Sequence, residues 1–152
     1  MVVTASIDIA VPPAVVRAKF LDFDSLPKYH TEFFRSITPL GPNKVPSPGT
    51  KARVEFSAAG QKMDANILEN NPDEFKWGGS IPLLFSGNHS FRFEPSTSIP
   101  SGTKFTQEEV FGGALGFLMG ENVVARQLGF VEKTVKGWNG YNRDLKKWCE
   151  ES

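Results

Sequence analysis

Of the groups that reactive or anchoring chemistry needs, this chain of 152 residues has few. Its single cysteine, Cys149, excludes an internal disulfide, and its place on an apolar helical stripe marks it as a small packing group rather than a reactive thiol. A reducing compartment and a cytoplasmic location are therefore expected. Neither sign of charge prevails: 17 lysines and arginines balance 17 aspartates and glutamates, and no block of like charge appears. That removes the basic footprint by which nucleic acid or an anionic membrane is recognised. Long hydrophobic runs are also missing. The longest, residues 110–119, is too short and too glycine-rich to span a bilayer, and no basic segment leads into an apolar run near the start. A soluble protein with no membrane span is the expectation.

Ligand spacings are absent too. The two histidines and the cysteine lie far apart in sequence, which argues against a metal site. No P-loop, nucleophile elbow or dinucleotide fingerprint is present, so no nucleotide cofactor is expected. The glycines at 112, 113 and 116 instead let the chain turn closely from the last strand toward the final helix, with Gly120 and Asn122 at that helix's start. No internal repeat or low-complexity segment divides the chain. Residues 1–152 are read as one domain, large enough to bury a core without disulfides or metal.

What the sequence has in quantity is aromatic side chains: thirteen phenylalanines, three tryptophans and two tyrosines. Aromatics on this scale suit a dense core or the lining of an apolar pocket. The longest regular pattern lies at the end. Over residues 122–149 apolar groups recur at Val124, Leu128, Val131, Val135, Trp138, Leu145 and Cys149, one face of a long amphipathic helix interrupted by Asn142. Arg126, Glu132, Lys133, Lys136, Arg143, Lys146 and Lys147 form the wet side. Gly129, Gly137 and Gly140 lower helix propensity where side chains would otherwise fill space.

Before that helix the pattern is mostly of period two. Residues 4–11 alternate as a strand, ended by Pro12-Pro13, and a short helix follows to about Phe23, with Val16, Phe20 and Phe23 at helical spacing. Residues 24–34, DSLPKYHTEFF, read as a second short helix and a loop, so that the two helices make a V. From Ile37 onward strands are expected at residues 50–58 and 61–69, joined by the Ala59-Gly60 turn, then at 74–78, 85–94 and 103–111. Residues 80–84, with Pro82, form a flexible or bulged connection. Residues 81–85, IPLLF, are either an apolar lip over a pocket entrance or an edge strand carrying a proline. The fold class expected is α+β: a curved antiparallel sheet of six to seven strands, one face apolar and covered by the terminal helix.

This layout resembles the SRPBCC or START-like superfamily with its helix-grip fold, and most closely its polyketide cyclase/dehydrase-like branch. The resemblance rests on the opening SIDIAVPPAVVRAKFLDFDSLPKYH, on the hairpin ENNPDEFKWGG, on the last strands FSGNHSFRFEP and GTKFTQEEVFGGALG, and on the helix end YNRDLKKWCEE, where Tyr141 stands in place of the usual methionine. It implies an apolar cavity between sheet and helix. It also implies a small hydrophobic ligand, polyketide- or terpenoid-like, that is either carried or is cyclised, dehydrated or isomerised without metal or nucleotide cofactor.

By alternation the concave face presents Phe56, Trp77, Phe85, His89, Phe91, Phe105, Gln107, Glu109 and Phe111, with Trp138 and Asn142 from the helix. Tyr29, His30 and Phe34 of the helical V join this ligand-binding set, His30 near the cavity mouth. His89 and Glu109, on neighbouring strands, are the catalytic candidates: a buried glutamic acid and a histidine can act as acid and base on a bound ketone or enol. The competing reading is that the two satisfy each other or the backbone, or that a bulge turns them outward. For His30 it is a solvated loop histidine. A monomer or homodimer is expected.

Overall fold

The computed structural model describes residues 2–81, 85–111 and 123–152. Strand β1 (Val2–Ile9) is stopped by the paired prolines, the second of which opens helix α1 (Pro13–Leu21). A 3-10 turn (Phe23–Ser25) and the single helical turn α2 (Leu26–Tyr29) complete the V. Six more strands follow, β2 (Phe34–Pro39), β3 (Lys51–Phe56), β4 (Lys62–Asn70), β5 (Glu74–Ile81), β6 (Phe85–Pro95) and β7 (Thr103–Phe111), and then helix α3 (Val123–Glu151).

All seven strands form one antiparallel sheet in the order β1-β7-β6-β5-β4-β3-β2, so that the first strand closes beside the last. The concave face packs against α1 and α3, giving the helix-grip arrangement. On the outer face, charged pairs such as Arg53 with Asp64, and Arg92 with Glu74 and Glu108, lie at the surface.

Two boundaries differ from the sequence pattern. Strand β2 begins at Phe34, inside the stretch read as helix and loop, because a bulge between Phe34 and Ser36 places Phe34 and Ile37 both inward and breaks the alternation there. Strand β5 continues past Gly78 to Ile81, paired with β6. The turn between β3 and β4 is the expected one, with Ala59 and Gly60 both in the left-handed region (φ 55° and 59°). Residues 82–84 and the glycine segment 112–122 lie outside the described residues.

Register aligns the concave side chains in rows across the sheet. Trp77 stands opposite His89 and His89 opposite Glu109; the next row holds Phe75, Phe91 and Gln107, and the next Phe93 and Phe105. Phe20 of α1 is driven into the last two of these rows. Its ring lies within 6.5 Å of the rings of Phe23, Phe75, Phe91, Phe93, Phe105 and Tyr141. One half of the concave face is therefore solid aromatic core. The other half, around Trp77, His89, Glu109 and Trp138, is left open to a cavity.

Candidate functional site

That cavity has a volume of about 220 Å³. Its apolar walls are Phe33, Phe56, Met63, Trp77, Phe111 and Trp138, His89 and Glu109 form a buried polar wall, and Glu32, Ala58, Gln61, Lys133 and Thr134 also border it. Each wall has a local cause. Trp138 sits on the buried stripe of α3. Phe33, in the turn before β2, packs on α3 at Gly137, where any Cβ would stand 2.3 Å from the ring. Met63 of β4 crosses the place a side chain at Gly79 would fill, its sulfur 2.6 Å from the position of that missing Cβ. Both glycines are close-approach positions rather than turns.

The polar wall is a chain of contacts running inward. Glu109 Oε2 lies 3.3 Å from His89 Nδ1. His89 Nε2 lies 2.9 Å from Gln107 Oε1, and Gln107 Nε2 donates to Asn142 Oδ1 at 2.8 Å. The Gln107 amide nitrogen also faces the Trp138 carbonyl oxygen at 3.5 Å. With the amide nitrogen turned this way, Oε1 is left to accept from His89. His89 therefore keeps a proton on Nε2, and its Nδ1 is the atom presented to Glu109. The imidazole is held in place by stacking on Phe91 (4.2 Å between centroids, 9° between planes) and by Trp138 at 4.7 Å.

His89 is 3% and Glu109 6% exposed, yet both reach the cavity. Gly87 makes room for the carboxylate: a Cβ there would stand 3.1 Å from Glu109 Oε1 and 2.7 Å from the Val110 carbonyl oxygen.

The structure separates the remaining sequence candidates into places. Phe56, Trp77, Phe111 and Trp138 are cavity walls. Phe34, Phe91 and Phe105 belong to the solid core around Phe20 instead, which is why the cavity is smaller than the concave face. Gln107 and Asn142 are 0% and 1% exposed and lie behind His89, supporting it rather than bordering the cavity. Asn142 Nδ2 has no hydrogen-bond partner among the described residues. The side chain of Phe85 lies outside the described residues.

Tyr29 and His30 lie away from the cavity. Tyr29 turns its hydroxyl onto that of Tyr141 (3.1 Å) and stacks on Trp148. His30 is buried, not solvated: Nδ1 donates to Asp144 Oδ2 at 2.7 Å, and Nε2 accepts from the backbone N–H of Phe33 and Phe34 at 3.1 and 3.2 Å. With Nε2 occupied as an acceptor, His30 is neutral and ties the α2–β2 turn to α3.

Sequence reasoning missed Phe33, Met63 and Thr134 as parts of the site. The glycines at 137 and 79 were the available signal for the first two, since each marks a place where another side chain lies against backbone. Among the described residues no group of three or more His, Cys, Asp or Glu is close enough to hold a metal ion, and no helix is long and apolar enough to cross a membrane.

No curated protein sequence matches the chain. Solved structures do share its shape. A hypothetical protein, jhp0584, from Helicobacter pylori superposes with a TM-score of 0.74 at 13% identity, over 98% of this chain and 88% of that one. Protein MLL2253 from Mesorhizobium loti gives 0.72 at 14% identity, over 100% and 98%, and the protein Ara h 8.0201 gives 0.64 at 13%, over 100% and 99%. At such identities the likeness concerns the fold alone. The family model described as "Polyketide cyclase / dehydrase and lipid transport" matches residues 1–138, and with the helix-grip fold around an aromatic cavity this chain belongs to that family.

Proposed function

We propose that the protein encloses a small apolar molecule, polyketide- or terpenoid-like, in the cavity between the sheet and α3. In this reading Glu109 and His89 act on it as an acid–base pair in a cyclisation, dehydration or isomerisation. The observation that carries the reading is the combination of aromatic walls with a single buried acid–base contact at one end. Apolar walls desolvate and orient a flat molecule, which leaves proton transfer at one point as the chemistry available. The reaction moves a proton between the pair and a carbon or oxygen of the ligand, and needs no metal or nucleotide.

A carrier is the second reading, favoured by the lipid transport in the family's own description. Both use the same cavity, so substitution separates them. Incubation with a cellular extract, repurification and mass spectrometry should recover a bound small molecule. His89→Ala and Glu109→Ala should retain it while abolishing its conversion. If the retained molecule is released chemically unchanged by the unsubstituted protein, the carrier reading holds; if no molecule is retained at all, both fall.

A further inference from the structure

The border of the cavity is not equally fixed all the way round. Its exposed members, Glu32, Ala58 and Lys133, mark the mouth, while His89 and Glu109 lie at the buried end. Three pieces of chain frame that mouth: residues 31–33 between α2 and β2, the turn between β3 and β4, and α3. The second closes a regular hairpin and the third is a long helix. The first is three residues without regular structure, set between the end of α2 and the bulge that follows Phe34.

That short segment carries Phe33. The ring reaches across the mouth from Phe56 of β3, 5.8 Å away between centroids, to the bare backbone of Gly137 on α3. Among the described residues, hydrogen bonds to residues 31–33 come only from Ser57 and His30. Ser57 donates its backbone N–H to the Phe33 carbonyl oxygen at 3.0 Å and its hydroxyl to that of Thr31. His30 Nε2 accepts from the N–H groups of Phe33 and Phe34, while Nδ1 is braced on Asp144 of α3. One imidazole therefore fastens the segment to the helix on the far side of the mouth. A segment so sparsely bonded opens locally at far less cost than the sheet, and His30 sets that cost.

We propose that residues 31–33 form a door to the cavity, with Phe33 as its panel and His30 as the positioning residue that holds it shut. This rests on the reading that the cavity takes up an apolar molecule. A ligand passes only when the N–H groups of the door leave His30 Nε2. His30 thus governs how fast a ligand enters and leaves rather than how tightly it is held, because a change that the ligand does not sense leaves the binding equilibrium alone.

Stopped-flow fluorescence with 1-aminonaphthalene tests this. An apolar cavity of roughly 150 Å³ takes up benzene, so one of about 220 Å³ admits two fused rings. His30→Asn keeps a donor for Asp144 and withdraws the acceptor from the door, whereas His30→Gln places an acceptor near the position of Nε2. In the asparagine variant uptake and release should both rise at least about fivefold, with affinity moved by less than about twofold. Hydrogen exchange at the Phe33 and Phe34 amides should quicken with them. The glutamine variant should recover most of the slow exchange. Should the asparagine variant fail to fold, Ser57→Ala, which removes only the hydroxyl bond to Thr31, should raise both rates at least about twofold.

Unchanged release in a variant whose Phe33 amide exchanges faster overturns the door, since the probe then leaves by another route. A loss of affinity without a parallel rise in both rates overturns it too, and reduces His30 to a packing role. Equal rates in the asparagine and glutamine variants overturn the assignment to Nε2. Failure of the probe to bind the unsubstituted protein overturns the cavity reading itself.

Discussion

The ring of Phe33 occupies the space that a side chain at Gly137 would need, 2.3 Å from the missing Cβ. The contact joins the turn before β2 to the middle of α3 and supplies one wall of the cavity. Gly137→Ala forces that ring away, and the loss of packing outweighs the gain in helix propensity; a net destabilisation of about 1–2 kcal/mol and altered ligand affinity are expected. Gly129, on the same helix, has nothing within 4 Å of its missing Cβ among the described residues, so Gly129→Ala should stabilise by about 0.5–1 kcal/mol. Denaturant titration of the two variants checks the opposite signs.

Phe20 is 1% exposed and stands among six other aromatic rings. Phe20→Ala should cost about 3–5 kcal/mol in denaturant unfolding, the range for truncating a buried phenylalanine without collapse of its site. Phe20→Leu should cost appreciably less.

Both tyrosines of the chain, Tyr29 and Tyr141, hold their hydroxyls against each other, and burial raises the pKa of each above the ordinary phenol value of 10.0. Above that value the folded state retains protons that the unfolded state releases. The stability they contribute is whole below it and falls as the pH rises past it. Tyrosinate absorbance should therefore appear together with alkaline unfolding monitored by circular dichroism, and not before it. A tyrosinate signal from folded protein near the ordinary phenol value would contradict this.

Cys149 is 3% exposed, and burial pushes its thiol up to about 11. At mildly alkaline pH the native protein should resist iodoacetamide, and unfolding in denaturant should release one reactive thiol per chain. Mass spectrometry of the two samples distinguishes the states.

How much of this the sequence shows depends on where the backbone is regular. Alternation put His89 and Glu109 on one inner face because β6 and β7 pair without interruption from Gly87 to Pro95. It failed at Phe34, where the bulge in β2 adds a residue and periodicity no longer reports direction. The helical stripe placed Trp138 and Asn142 correctly on the buried side of α3, but Tyr141, next to Asn142 and equally buried, faces Phe20 across an angle the stripe does not register. The division of the concave face was not legible. Helical spacing marks Phe20 as inward without telling which sheet rows α1 crosses, and that crossing decides where core ends and cavity begins.

The rows of the sheet have a consequence for dynamics. Trp77, His89 and Glu109 stand on three adjacent central strands and are aligned by backbone hydrogen bonding rather than by loops. Amides in such strands exchange only through large-scale opening of the sheet. The acid–base contact is thus set in the empty protein, and the ordering entropy of its two side chains is lost at folding rather than on encounter with a ligand.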